Sequence, residues 1–141
     1  MAKSKRETII ATLKDTLEAS VPWPVYRSLT VALDKSVNAC IVIDWLREQE
    51  AERTSGDKNR VELTIRISAY VAEIENAEQS ADEIIVASHA SVMADRTIGG
   101  MCEVITPNGA IKKVEEHAKR MVAIAQEYTI TYRRSVTSLT N

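Results

Sequence analysis

Residues 60–73 read RVELTIRISAYVAE, and no other stretch restricts the possible folds so tightly. Val61, Leu63, Ile65, Ile67, Ala69 and Val71 alternate without a break against Glu62, Thr64, Arg66, Ser68 and Tyr70. Successive side chains of a strand point to opposite faces, so a period of two builds one apolar row and one polar row. A helix would scatter both rows around its circumference. The run exceeds the usual strand length of about five or six residues. It therefore predicts a sheet with one face on a core and the other meeting water or a neighbour.

The elements around this strand can be read from their local signals. Ser4 with Glu7 fits a capping box, in which the serine oxygen takes an orphan amide and the glutamate reaches back. Ile9, Ile10, Leu13 and Leu17 then form an apolar stripe at helical spacing, predicting an amphipathic helix over residues 5–19. Pro22 and Pro24 end it. Residues 21–27 read as extended and anchored by Trp23 and Tyr26, and residues 29–36 as either a short helical turn or a loop. Residues 39–46, ACIVIDWL, predict a strand buried on both faces. Ser80 with Glu83 suggests a second capping box, opening a helix over about 81–94 with Ile84, Ile85, Ser88, Ser91 and Val92 on its stripe. Gly99-Gly100 permits a tight turn or positive φ. Cys102, Val104 and Ile105 suggest a short strand stopped by Pro107-Asn108-Gly109, and residues 111–119 read as helix or loop. Residues 121–134 alternate again, with Val122, Ile124, Gln126, Tyr128, Ile130 and Tyr132 on one face. The order gives an α+β fold: an antiparallel or mixed β-sheet, with an N-terminal helix and a second helix packed on one face.

Composition excludes several classes of function. The chain has 141 residues, enough for one domain spanning 1–141. Its 18 basic and 20 acidic residues are well mixed, leaving none of the basic blocks that track nucleic acid. There is no Phe, and only two Trp and four Tyr, so stacking platforms for single strands are not expected. No stretch approaches the roughly 20 apolar residues of a membrane span, and no apolar segment follows the basic N-terminus as a signal peptide requires. Cys40 and Cys102 read as buried, reduced thiols and the cytosol as the default compartment.

Catalytic and metal-binding constellations are equally sparse. His89 and His117, the only histidines, have no His or Cys partner at metal-ligand spacing and read as surface residues. Asp82-Glu83 suits a helix dipole better than paired acid–base chemistry. Gly99-Gly100 lacks the lysine of a phosphate loop. Asp95-Arg96 reads as a helix-end charge pair, a type that also serves at subunit contacts. No catalytic, cofactor-binding or metal-ligating residue is assigned.

Two features suit a protein that works through its surfaces. Residues 47–60, REQEAERTSGDKNR, carry dense charge without an apolar face, and read as a long solvated connection between antiparallel strands. Such a loop is either a simple hairpin connection or an arm ordered on assembly. The polar row of the long strand either meets solvent or makes a seam, where mixed charge sets register. The candidate interface is Arg47, Glu48, Glu50, Arg53, Lys58 and Arg60 of the loop, with Glu62, Thr64, Arg66, Ser68 and Tyr70 of the strand.

Taken in order, these pieces resemble the tail terminator and tail completion proteins of long-tailed bacteriophages. The resemblance rests on the proline-rich lead-in to Val25-Tyr26-Arg27, the strand at 39–44 before a charged segment, and the long alternating strand. It continues through Gln79-Ser80-Ala81-Asp82-Glu83-Ile84 and Gly99-Gly100 to the closing Tyr128-Thr129-Ile130-Thr131-Tyr132-Arg133. It covers nearly the whole chain through collinearity rather than through any single motif. The resemblance implies a virion protein, assembled in the host cytoplasm, with no active site or cofactor. It would form a homo-oligomeric ring, usually a hexamer, on the last ring of tail-tube subunits, halting tube growth and meeting the head-completion proteins of the neck. The genome would pass through such a ring without sequence-specific contact. The polar tail at 135–141 has no place in this pattern. Alternatives are a tail-tube or head-completion subunit, a small cytosolic enzyme using Cys102 or His117, and a peptide-binding module with an exposed sheet edge.

Overall fold

A computed structural model describes residues 2–27, 37–53, 58–72, 74–116 and 119–140. The first helix, α1, spans Lys5–Ser20, with Ser4 as its N-cap. The Ser4 hydroxyl accepts the Glu7 amide at 3.1 Å. The reciprocal half of the expected capping box is absent, because the Glu7 carboxylate instead takes the Arg27 guanidinium through both oxygens, at 2.8 and 3.0 Å. Ile9, Ile10, Leu13 and Leu17 are its buried face, as their spacing predicts. The C-terminal tail, unplaced by sequence, folds back onto this helix: the Leu139 carbonyl accepts the Lys5 amide at 2.8 Å. That satisfies one of the orphan donors of the first turn.

Among the described residues, five strands form one sheet: β1 (Val25–Tyr26), β2 (Ala39–Arg53), β3 (Lys58–Ala72), β4 (Val104–Glu116) and β5 (Arg120–Ser135). Their order is β1-β2-β3-β5-β4. The two-residue β1 runs parallel to β2, and every other pairing is antiparallel. The second helix, α2, spans Ala77–Met93 between β3 and β4 in sequence. Both helices lie on the same side of the sheet, since their apolar stripes join Val61, Leu63, Ile65, Ile67, Ala69 and Val71 of β3 in one core. Tyr128, Ile130 and Tyr132 of β5 enter that core too, as their alternation predicts. The fold is α+β with a mixed sheet. Residues 29–36, Glu73 and His117 lie outside the described residues.

Three element assignments from sequence need correction. The charged stretch at 47–60 is largely strand, not loop: Arg47 lies opposite Thr64, Glu48 opposite Leu63 and Arg53 opposite Asn59, extending β2 and β3 into a long ribbon. Only residues 54–57 of it lie outside the description. This segment lacks an apolar row because its inward side chains are carboxylates. Those carboxylates find arginines on α1 and β5, and the β3 partners Val61 and Leu63 supply the apolar contact. The stretch at 104–116 is likewise a single strand. Pro107 is tolerated because β4 is the last strand of the sheet, where a missing donor costs no ladder bond. A bulge at Asn108 absorbs the extra residue, with Gly109 at φ 124. Asn108 Nδ2 donates to Thr129 Oγ1 across the bulge at 2.5 Å.

The second capping box does not form either. Helix α2 opens four residues before the expected start, after Asn76 in a left-handed conformation, so Ser80 sits inside it and donates its amide to Asn76 O. Ala77 and Ala81 extend the stripe of Ile84, Ile85, Ser88 and Val92 backwards, and those two alanines set the true start. Ile98, Gly99 and Gly100 all take positive φ in the turn that follows, the conformation expected of the glycine pair.

Candidate functional site

The register divides ten of the eleven candidate interface residues between two faces. Arg47, Lys58, Arg60, Glu62, Thr64, Arg66, Ser68 and Tyr70 belong to the open face, opposite the helices. Glu48 and Glu50 share the parity of Leu63 and Val61 and so occupy the helix side, and Arg53 pairs with Asn59 near the end of the ribbon. The two sets therefore lie on opposite faces of the sheet.

On the open face the side chains fall into cross-strand rows. Arg47, Thr64, Thr129 and Thr106 form one row, and Asp44, Arg66 and Glu127 the next. Arg66 reaches Glu127 at 3.1 Å. Towards the ribbon end, Arg60 and Arg133 converge on Glu103 at 3.3 and 2.8 Å. The Arg133 hydrogen bond, and then the charge of Arg60, hold the Glu103 carboxyl below the usual range against slight burial. Lys58 is exposed opposite Ser135.

Beyond Arg66 the expected polar row becomes dry. Ser68 and Tyr70 are buried, only 6% and 7% exposed. Tyr70 joins Cys40, Val42, Ala72, Met121 and Ala123 in a second apolar cluster, against which Tyr26 and Val37 pack. Burial first, then the charge of Glu115 and a hydrogen bond with it, push the Tyr70 phenol far above its ordinary range. The reading of this row as wholly wet therefore holds only for Glu62, Thr64 and Arg66. A small apolar cluster was missed because Cys40 and Val42 of β2, Tyr70 and Ala72 of β3 and Met121 of β5 come from three separate segments.

The helix side of the ribbon is a charged clamp. Glu48, with a side chain 7% exposed, accepts from Arg6 at 3.1 Å and from Arg134. Arg134 also reaches Glu50. The Arg6 guanidinium lies 4.2 Å from the centroid of Trp45, a cation–π contact. Sequence reasoning missed Arg6, Trp45 and Arg134. The signal for Arg134 was available: it lies two residues beyond Tyr132 and so shares its inward parity.

Of the two residues considered for chemistry, His117 lies outside the described residues, and Cys102 sits as a buried thiol. Cys102 is buried and donates to the Arg96 carbonyl at 3.7 Å. Burial, then Asp95 and Glu103, push its thiol up to about 11. Asp95 and Arg96 do not pair: Asp95 accepts from Thr97 and from the Gly99 amide, while Arg96 donates to the Ile105 carbonyl. His89 is half-buried, with its Nδ1 2.8 Å from the hydroxyl of buried Tyr128. Among the described residues no three His, Cys, Asp or Glu side chains could hold a metal, and no helix is long and apolar enough to cross a membrane.

The sheet ends in two unlike edges. On one side β1 covers only Ile41 and Val42 of β2, so residues 43–53 have no strand beyond them among the described residues. Trp45 and Leu46 stand there, each 42% exposed, at a bulge. On the other side β4 is paired, among the described residues, only to β5, and Ile111, Lys112, Lys113 and Val114 are exposed.

No protein-family model matches the chain, and no curated protein matches it. Among solved structures it is similar to the sheath/tube terminator of an extracellular contractile injection system, PVC, determined by cryo-EM in the extended state. The identity is 11% and the TM-score 0.48, over 94% of this chain and 58% of that one. The chain thus spans little more than half the length of that protein.

Proposed function

We propose that the chain is a structural subunit that closes with copies of itself into a ring and caps a phage-type tail tube, as a tail terminator does. The two unlike sheet edges carry this reading. A ring needs a heterologous contact, in which one surface of a subunit meets a different surface of the next, whereas a twofold dimer uses the same patch twice. The collinear sequence pattern and the evenly mixed surface charge favour the same role. Under this reading the ring would stop tube growth and present its far side to head-completion proteins of the neck, with the virion tail as its location.

The test is the mass of the purified chain together with its effect on tube assembly. A terminator gives a closed assembly of one size by native mass spectrometry and negative-stain imaging, and added tail-tube subunits end at that ring. A tube subunit would instead polymerise without limit. A monomer at high concentration that leaves tube length unchanged would overturn the proposal.

A further inference from the structure

We infer that the partner at these two edges is a second copy of this chain, its β4 edge pairing antiparallel with the β2 edge of the first. The inference rests on the ring reading above and identifies its seam. Strand direction supplies the first argument. From β2 through β3 and β5 to β4 every pairing is antiparallel, so the two outermost long strands run in opposite directions. A copy related by rotation about an axis roughly along the strands brings β4 beside β2 with that alternation unbroken.

Side-chain parity supplies the second. Asp44 and Lys113 both face the open side, while Trp45 and Lys112 both face the helix side. One antiparallel register therefore sets Asp44 against Lys113 and Trp45 against Lys112 together. The same register brings exposed Leu46, at the bulge, opposite exposed Ile111. It forms an ion pair, a cation–π contact and an aliphatic pair, each a stabilising cross-strand combination. Although Arg6 lies 4.2 Å from its ring centroid, Trp45 remains 42% exposed.

Charge also argues against the twofold alternatives. Pairing β4 with β4 around this segment would bring Lys112 or Lys113, according to register, against its own copy. Pairing β2 with β2 there would oppose Asp44 to Asp44. Like charges directly opposite destabilise a strand pair. Only the unlike edges complement one another.

The experiment is a charge exchange in the full chain, read by mass photometry across a dilution series. Asp44→Lys alone and Lys113→Glu alone should each raise the dissociation midpoint roughly tenfold or more. The combined Asp44→Lys/Lys113→Glu chain should return most of the way. Far-UV circular dichroism and melting curves identify any variant that has simply unfolded. An independent measurement mixes Leu46→Cys with Ile111→Cys. Opposed cross-strand positions lie within disulfide reach, so mild oxidation should link copies on a non-reducing gel. If all variants keep wild-type assemblies and the cysteines do not link, the seam is wrong while the ring reading stands. A monomeric wild-type chain would overturn both.

Discussion

Glu48 is the position where the ribbon is most open to test. A solvated loop would tolerate Glu48→Ala with a change within about 0.5 kcal/mol, as surface substitutions usually do. The structure demands more. The Glu48 carboxylate is almost wholly buried and serves both Arg6 and Arg134, whose side chains are 25% and 12% exposed. Removing one member of a buried pair costs about 3–5 kcal/mol, because the remaining charge stays desolvated. Arg134 keeps Glu50 and Arg6 keeps partial access to water, so the expected loss is about 2–3 kcal/mol. For a chain of this size that lowers Tm by about 6–10 °C. Urea unfolding followed by circular dichroism, at one fixed protein concentration, should show a lower midpoint with an unchanged m value. A double-mutant cycle with Arg134→Ala should give a coupling of about 1 kcal/mol or more. A Glu48→Ala chain within about 0.5 kcal/mol of wild type would refute the clamp, and the ribbon would then hold together by backbone pairing alone.

Two further predictions concern titration. Glu7 and Glu103 are held below their ordinary value of 4.5, Glu7 chiefly by its hydrogen bond from Arg27 and Glu103 chiefly by that from Arg133. A depressed carboxyl pKa contributes stability that is present above the unfolded value and lost as pH falls through the folded one. Their contribution should be flat above about pH 5 and fade below 4.5, and Arg27→Met should shrink that acid loss. An unchanged acid limb in urea titrations of Arg27→Met would remove Glu7 from the account. Separately, burial pushes the Cys40 and Cys102 thiols up to about 11. The native chain should therefore react slowly with a thiol reagent at pH 8 and quickly in guanidinium, and a rapid stoichiometric burst in the native state would contradict this burial.

The sequence was legible wherever burial is apolar and periodic. Val61 to Val71 announces β3, Ile9 to Leu17 announces the buried face of α1, and Tyr128 to Tyr132 the inward face of β5. It was opaque where burial is polar. Glu48 points inward on β2, with half-exposed Glu50 on the same side, and no apolar alternation marks them, because the Glu48 partners Arg6 and Arg134 lie 42 and 86 residues away. Strand β4 was hidden for another reason. Pro107, Asn108 and Gly109 spell a turn locally, yet on an edge strand they spell a bulge, and only the presence of β5 decides between the two. Of the candidate interface, the sequence identified a strand with a polar row but not where that row becomes dry, since Tyr70 is buried by Cys40 and Met121 from other strands.

The contact between Lys5 and Leu139 has a consequence for synthesis. Helix α1 leaves the ribosome before every strand of the sheet, yet its opening turn is closed by the Leu139 carbonyl, which follows β5. Its buried face must also wait, because Ile9, Leu13 and Leu17 pack into a core shared with β5. Contacts of such long sequence separation slow folding, since loop closure comes before any gain from packing. The nascent helix should therefore stay loosely held until β5 and Leu139 have emerged, and the proposed seam edges on β2 and β4 should mature together with it. Copies would then meet only as finished subunits, which guards a strand-edged protein against pairing too early.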